Sequence, residues 1–380
     1  MTRINNGKLS DSPFYQIKEL GEEWNEKLLD IARESPVESS GIHIMFDRSP
    51  NIFTIPILTS QKYRCGGLFK KGELFGYAIA TYQKRYIDDQ RLADVMYLGN
   101  MHVSKKGRMT GFFYRVSDFF FGGLPNEVEY YYAYIMQKNE AALKLVDRRH
   151  PRFPNAPFAK IVGQISMINI FLTIPICLSS KYMIRAANHD DIDLIVELLQ
   201  MEYSTRFLAP EMNRAIFLRN IKQRPNFGLE NYIVAIYGND IVGVCSSWDM
   251  TSFKKNRVLK YGSVLGLTRF LYNIAAPLLG IASLPKAGEP FRDVTITEYA
   301  IRERNPVIMN ALLRYLYMYY RKKGYHSIIF GSSNDDPLLN AVKNFYTKEI
   351  HSNVVLGSKQ RDKIERNQNI PLIYADSVQI

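Results

Sequence analysis

The chain has 380 residues, 46% hydrophobic and 23% charged, which excludes a disordered polypeptide and exceeds what one core normally supports, so two domains are expected. Its net charge of +12 is spread evenly, with 23 basic against 18 acidic residues up to position 180 and 26 against 19 after it. That distribution excludes a basic nucleic-acid-binding arm and suits small anionic ligands.

Cys65, Cys177 and Cys245 lie far apart and the six histidines show no ligand spacing, which argues against a disulfide framework and a zinc site. The N-terminus has no apolar leader, so a cytoplasmic protein is the expectation.

In chain order, Phe14 to Leu20 reads as a short strand and Gly21 to Ser35 as an amphipathic helix. Tyr63 to Phe69 and Leu74 to Ile79 flank the turn Lys70-Lys71-Gly72-Glu73 and predict a hairpin. Val95 to Val103 follows as a third strand, Gly111 to Phe121 as a helix, and Tyr130 to Val146 as a strand running into a helix.

The same order then returns. Met183 to Arg185 is a strand, and Asp190 to Glu202 a helix with Ile192, Ile195, Val196 and Leu199 on one face. Tyr232 to Tyr237 and Ile241 to Cys245 form a hairpin around Gly238-Asn239-Asp240, and Asp293 to Ile301 is the third strand. The next helix runs from Pro306 to Lys323, with proline at its start and Gly324 past its end. Ser327 to Tyr346 is again strand plus helix, entered through the capping turn Asp335-Asp336-Pro337.

Gly76 and Gly243 are offset by 167 positions, Val103 and Ile301 by 198, and the elements beyond by about 200. The expected architecture is therefore α/β, in two similar halves, 1–180 and 181–380, the second with an insertion at about 248–291. Ile161 to Leu178 and Val264 to Leu284 are apolar but interrupted by polar residues and marginal in length. They read as a buried strand and a buried helix rather than membrane spans.

Four passages resemble the GCN5-related N-acetyltransferase (GNAT) superfamily. Met183-Ile184-Arg185-Ala186-Ala187-Asn188-His189-Asp190-Asp191-Ile192 is similar to its opening strand and helix, and Tyr232 to Gly243 to its central hairpin. Val103-Ser104-Lys105-Lys106-Gly107-Arg108-Met109-Thr110-Gly111 resembles its pyrophosphate loop, and Asn139-Glu140-Ala141-Ala142 the helix start after its fifth strand. The resemblance implies two tandem GNAT folds that take an acyl group from acetyl-CoA or another acyl-CoA to an amine acceptor. It places the cofactor against Val103, Arg108, Met109, Thr110, Gly111, Phe112 and Asn139.

A glycine beside a helix N-terminus lets backbone N–H groups approach phosphates, and the helix dipole favours their charge. Phe113 departs from the pattern, which has a small residue there. The matching loop of the second half, Arg302-Glu303-Arg304-Asn305-Pro306-Val307, has no glycine.

By the same resemblance Tyr346 is a candidate general acid and Glu298 a candidate base, where the first half has Val146 and Asn100. The plainer readings are a packed aromatic and a strand-edge carboxylate. Two alternatives stay open: a donor other than acetyl-CoA, such as charged tRNA or a long-chain acyl-CoA, and a binding module without catalysis.

Overall fold

The computed structural model describes residues 15–39, 42–88, 90–107, 111–123, 127–146, 153–366, 370 and 372–380. The first half contains β1 (Gln16–Glu19), α1 (Asn25–Arg33), β2 (Val37–Ser39), β3 (Ile42–Asp47), α2 (Thr54–Thr59), β4 (Lys62–Lys70), β5 (Glu73–Asp88) and β6 (Arg91–Val103). It continues with α3 (Phe112–Gly122), β7 (Val128–Met136), α4 (Glu140–Leu143) and β8 (Phe158–Phe171). The second half contains β9 (Met183–Ala186), α5 (Ile192–Ser204), α6 (Arg214–Gln223), β10 (Tyr232–Tyr237), β11 (Asp240–Trp248), β12 (Lys255–Tyr261) and α7 (Ser263–Leu279). It ends with β13 (Asp293–Ile301), α8 (Pro306–Lys322), β14 (Ser327–Ser333), β15 (Thr347–Ser358) and α9 (Arg361–Arg366).

Twelve strands form one sheet in the order β1-β4-β5-β6-β7-β15-β8-β14-β13-β11-β10-β9. Pairing is antiparallel except between β6 and β7 and between β13 and β14. Read outward from the central pair β8 and β15, both sides carry the same succession, so the sheet has an approximate two-fold relation. The offsets found in sequence reappear as register: Gly76 faces Val103 as Gly243 faces Ile301, and Asp94 faces Val128 as Asp293 faces Ser327. Glycine at 76 has a steric cause, because a Cβ there would lie 2.8 Å from the His102 carbonyl oxygen.

The halves exchange their last strands. β15 lies against β7, β8 lies against β14, and the two pair with each other from Thr347 opposite Ile170 to Ser358 opposite Phe158. Separately produced, each half would present a long apolar strand with no partner of its own, an open template for aggregation. Residues 1–180 and 181–380 expressed apart are therefore expected to aggregate, and to co-purify as one species when co-expressed. Size-exclusion chromatography checks this, and a monomeric, folded 1–180 fragment would show that the exchange is dispensable.

Two further links tie the halves. β12, from the insertion, pairs with β3 to make a separate sheet of order β12-β3-β2, sealed by Arg257 Nη2 on Asp47 at 2.7 Å and by Lys255 on the Ser49 carbonyl at 3.0 Å. Burial pushes the Asp47 carboxyl up, but Arg257 and Ser49 outweigh it and hold the group below its usual value. Residues 372–380 run between the halves: Tyr374 donates to the Thr297 carbonyl at 2.9 Å, and Asp376 pairs with buried Arg85 at 2.6 Å.

The structure adds β2, β3, α2, β12, β15 and α9, which the sequence reading does not contain, and departs from it at three further elements. The helix expected before Tyr346 is only a 3-10 turn, Pro337–Val342, capped by Asp336 on the Leu338 N–H at 2.9 Å. The chain is extended from Thr347 onward, where β15 pairs with β8, so Tyr346 stands at the entry of a strand rather than on a helix. α6 was not anticipated; Asn213 caps it at 2.9 Å and it buries Phe217 and Asn220. Val264 to Leu284 does form a helix, α7, but its apolar side chains are exposed rather than buried.

Candidate functional site

In each half two parallel strands pair briefly and then diverge, leaving a V-shaped gap whose walls are β6 and β7 in the first half and β13 and β14 in the second. β6 and β7 pair only from Asp94 to Tyr97 opposite Val128 to Tyr132. Beyond that, residues 99–103 and 133–136 are all half-buried, so both walls of the first gap are partly open. Below it, Ser104 donates to the Phe75 carbonyl at 2.8 Å and Gly107 closes a 3-10 turn over Lys105–Gly107.

Gly111 then stands at φ +70°, ψ 25°, a left-handed conformation that favours glycine, and opens α3 with no side-chain cap. Glycine has no side chain with which to cap the helix it opens. Phe112, Val116 and Phe120 anchor the helix on Leu68, Ala78 and Met96 of β4, β5 and β6. Arg108, Met109 and Thr110 lie outside the described residues. Val103 ends β6 at the lip of the gap, half-buried. Asn139 caps the single turn α4, accepting from the Ala142 N–H at 3.2 Å.

The second gap is filled. Every residue of β13 is buried, and Tyr299 reaches across it, its hydroxyl 3.1 Å from both the Gly331 carbonyl and Ser332 Oγ on β14. Arg206, 1% exposed, enters from the end of α5 and donates to the Tyr299 hydroxyl at 2.9 Å and to Asp336 at 3.0 Å. Arg304, from the loop equivalent to the pyrophosphate loop, turns inward at φ +50° to reach Glu202 and Asp336, both at 2.5 Å. Glu202 also pairs with Arg206 Nε at 2.7 Å. Two guanidinium groups and two carboxylates thus neutralise one another in the space a donor would need, and Arg304 is spent on protein carboxylates.

Both third strands bulge at equivalent places, over Asn100 and Met101 in β6 and over Thr297 and Glu298 in β13. A bulge re-aims a side chain off the regular alternation. It turns Glu298, 3% exposed, into a polar cluster: one oxygen accepts from Arg224 at 2.7 Å and Asn220 at 3.2 Å, the other from the Tyr232 hydroxyl. β13 is an interior strand, so Glu298 does not solvate a sheet edge. Glu298 lines a cavity of about 180 Å³ between the halves, together with Arg85, Arg224, Tyr374 and Asp376.

Tyr346 lies elsewhere. It is 71% exposed, its ring 5.4 Å from Phe171, which pairs with Ser327 at the start of β14. Ser327 is opposite Asp293, five residues before Glu298, or roughly 16 Å along the strand at ~3.3 Å per residue. The two candidate catalytic residues are not brought together.

Sequence reasoning missed Arg48 and His102, which flank the open gap. Arg48 is 6% exposed, and its Nε and Nη1 make no hydrogen bond, while Nη2 is 3.5 Å from the Ile380 oxygen. Burial pushes its guanidinium down to about 10. Burial and the Arg48 charge push His102 down to about 4, so its imidazole is neutral near pH 7. Nothing in the Asp-Arg-Ser-Pro segment marks Arg48; only the fold carries it beside β6.

Comparison with protein-family models and with curated proteins finds no match for the sequence. Comparison of structures does. N-myristoyltransferase from Saccharomyces cerevisiae with bound myristoyl-CoA superposes with a TM-score of 0.58 at 12% identity, covering 97% of this chain and 92% of that one. A second structure of the same enzyme with myristoyl-CoA also gives 0.58 at 12% identity, covering 92% and 81%. A GCN5-related N-acetyltransferase from Sphaerobacter thermophilus gives 0.50 at 15% identity, covering 78% and 81%. At these identities the likeness is one of fold, and it runs through both halves: the chain has the N-acyltransferase (GNAT) fold that N-myristoyltransferase also carries.

Proposed function

We propose that the chain is an acyl-CoA-dependent N-acyltransferase whose donor occupies the gap between β6 and β7. The observation that carries this reading is the contrast between the two gaps. One has half-buried walls below a helix that opens on a left-handed glycine, and the other is closed by Tyr299, Arg206 and Arg304. The pyrophosphate would lie against the N–H groups of Gly111 and Phe112, with Arg108 beside them and Met109 and Thr110 completing the loop. Val103 would flank the pantetheine arm and Asn139 the far wall.

α3 covers one face of the sheet, while the cavity with Glu298 and the 372–380 segment lie on the other. A donor entering beside α3 would present its thioester through the gap, and an amine would meet it from the opposite face. There the amine nitrogen forms the new bond to the acyl carbon, the C–S bond breaks, and the thiolate takes up a proton. Glu298 opens on the same face but stands on β13, four strands beyond β7 and so roughly 19 Å from this gap at ~4.8 Å per strand, with Arg224, Asn220 and Tyr232 holding its carboxylate; it is given no step in the transfer. Tyr346 is given no part, because its ring stands at the other end of the strands.

The match over 97% of the chain to an enzyme holding myristoyl-CoA favours a long-chain donor as a second reading beside acetyl-CoA. Calorimetric titration of the intact protein with coenzyme A, acetyl-CoA and myristoyl-CoA tests both. Binding of all three with equal affinity supports acetyl transfer, a strong preference for myristoyl-CoA supports the long chain, and no binding of any rejects the proposal.

A further inference from the structure

α7 is amphipathic in the wrong sense for a soluble protein. Its outward stripe is apolar: Val264 is 79% exposed, Leu267 62%, Leu271 57%, Ile274 58% and Leu278 88%. Its two large polar side chains turn to the protein instead, Arg269 donating to the Pro285 carbonyl at 2.8 Å and Asn273 bonding both ways with Leu284. Leaving such a stripe in water is costly, about 25 cal/mol per Å² of apolar surface. Contiguous exposed apolar surface of this kind marks an interaction site.

Charge says what covers it. Residues 250–292, which hold α7, have seven basic side chains and one acidic; Lys254 and Lys255 are bonded to backbone oxygens and Arg257 is paired with Asp47, and the four cations that remain still outnumber the one acid. Lys260 and Lys286 are exposed, and Arg321 holds the helix end through the Leu279 carbonyl at 2.7 Å. None of these three, nor Arg269, has a carboxylate within ion-pairing distance among the described residues. A second copy of the chain would bring the same cations against them, which disfavours self-association. Among the described residues no helix is long and apolar enough to cross a bilayer.

We infer that α7 lies in the surface of an anionic lipid bilayer, its apolar stripe among the acyl chains and the flanking lysines at the head groups. This does not rest on the acyltransferase reading.

Co-sedimentation of the intact protein with phosphatidylcholine vesicles, with and without phosphatidylserine, tests it. Binding is expected on the phosphatidylserine vesicles and to weaken as salt rises. Lys260→Gln with Lys286→Gln should reduce it by about fivefold per lysine. Leu267→Ser, Leu271→Ser and Ile274→Ser together should abolish it; these positions are exposed, so the circular dichroism spectrum should be unchanged. The inference is overturned if neither vesicle binds or if both bind equally. It is also overturned if the protein is a dimer in solution that the triple serine variant converts to monomer.

Discussion

Replacing Arg206 with alanine is expected to lower folding stability by about 3–5 kcal/mol, measured as a fall in the urea midpoint. Asp336 has a fully buried side chain and Glu202 one only 10% exposed, and both rely on Arg206 and Arg304 for neutralisation. With Arg206 gone, one guanidinium is left for two carboxylates, and Tyr299 loses both its donor and the cation 4.8 Å from its ring. Arg206→Lys should recover only part of the loss, because an ammonium cannot reach the Tyr299 hydroxyl, Asp336 and Glu202 in one plane. A double-mutant cycle with Asp336→Ala isolates the pair, and a coupling near zero would show that the cluster does not hold the second gap shut.

The sign of the pH dependence follows from the same contacts. Burial pushes the Asp336 carboxyl up, but Arg206 and Arg304 outweigh it and hold the group below its usual value. Its contribution to stability is present above the unfolded-state value of about 3.9 and is lost as pH falls through the folded-state value. In the Arg206→Ala protein burial loses its main opponent, the carboxyl moves upward, and destabilisation by acid should begin at a higher pH than in the parent.

The repeat was legible because it rests on features a sequence carries locally: turn glycines, alternation of apolar residues and a cap-to-glycine helix. Gly76 opposite Val103 and Gly243 opposite Ile301 show that the alignment even carried register. The strand exchange was not legible, since β8 and β15 have the same composition whichever sheet they join. Tyr346 falls on a helix only by alignment with Tyr130 to Val146 and by the family resemblance, and the pairing of β15 with β8 from Thr347 onward is what overrides both. Val264 to Leu284 reads as a buried helix because its apolar run is interrupted by Arg269, Asn273 and Pro277; those same Arg269 and Asn273 side chains turn to the protein and leave the apolar stripe outside. The loop of the first half is singled out by motif and stays a proposal, whereas the plugging of the second gap has no signal in the sequence. Arg206 lies 98 positions from Arg304 and 130 from Asp336, and only folding brings the three together.

That asymmetry sets the most discriminating experiment. Arg108→Ala should weaken coenzyme-A binding by about 10–100-fold, the worth of a charge-assisted hydrogen bond to phosphate. Arg304→Ala should leave that affinity unchanged while lowering stability, because Arg304 serves Glu202 and Asp336 rather than solvent. Gly111→Ala should weaken binding as well, since φ +70° strains any side chain and shifts the first N–H groups of α3. Titration calorimetry of the three variants separates the clefts. Loss of affinity in Arg304→Ala with retention in Arg108→Ala would move the donor to the second half, where Arg206 and Tyr299 would have to swing out to admit it. Retention in all three would mean that neither loop holds a pyrophosphate.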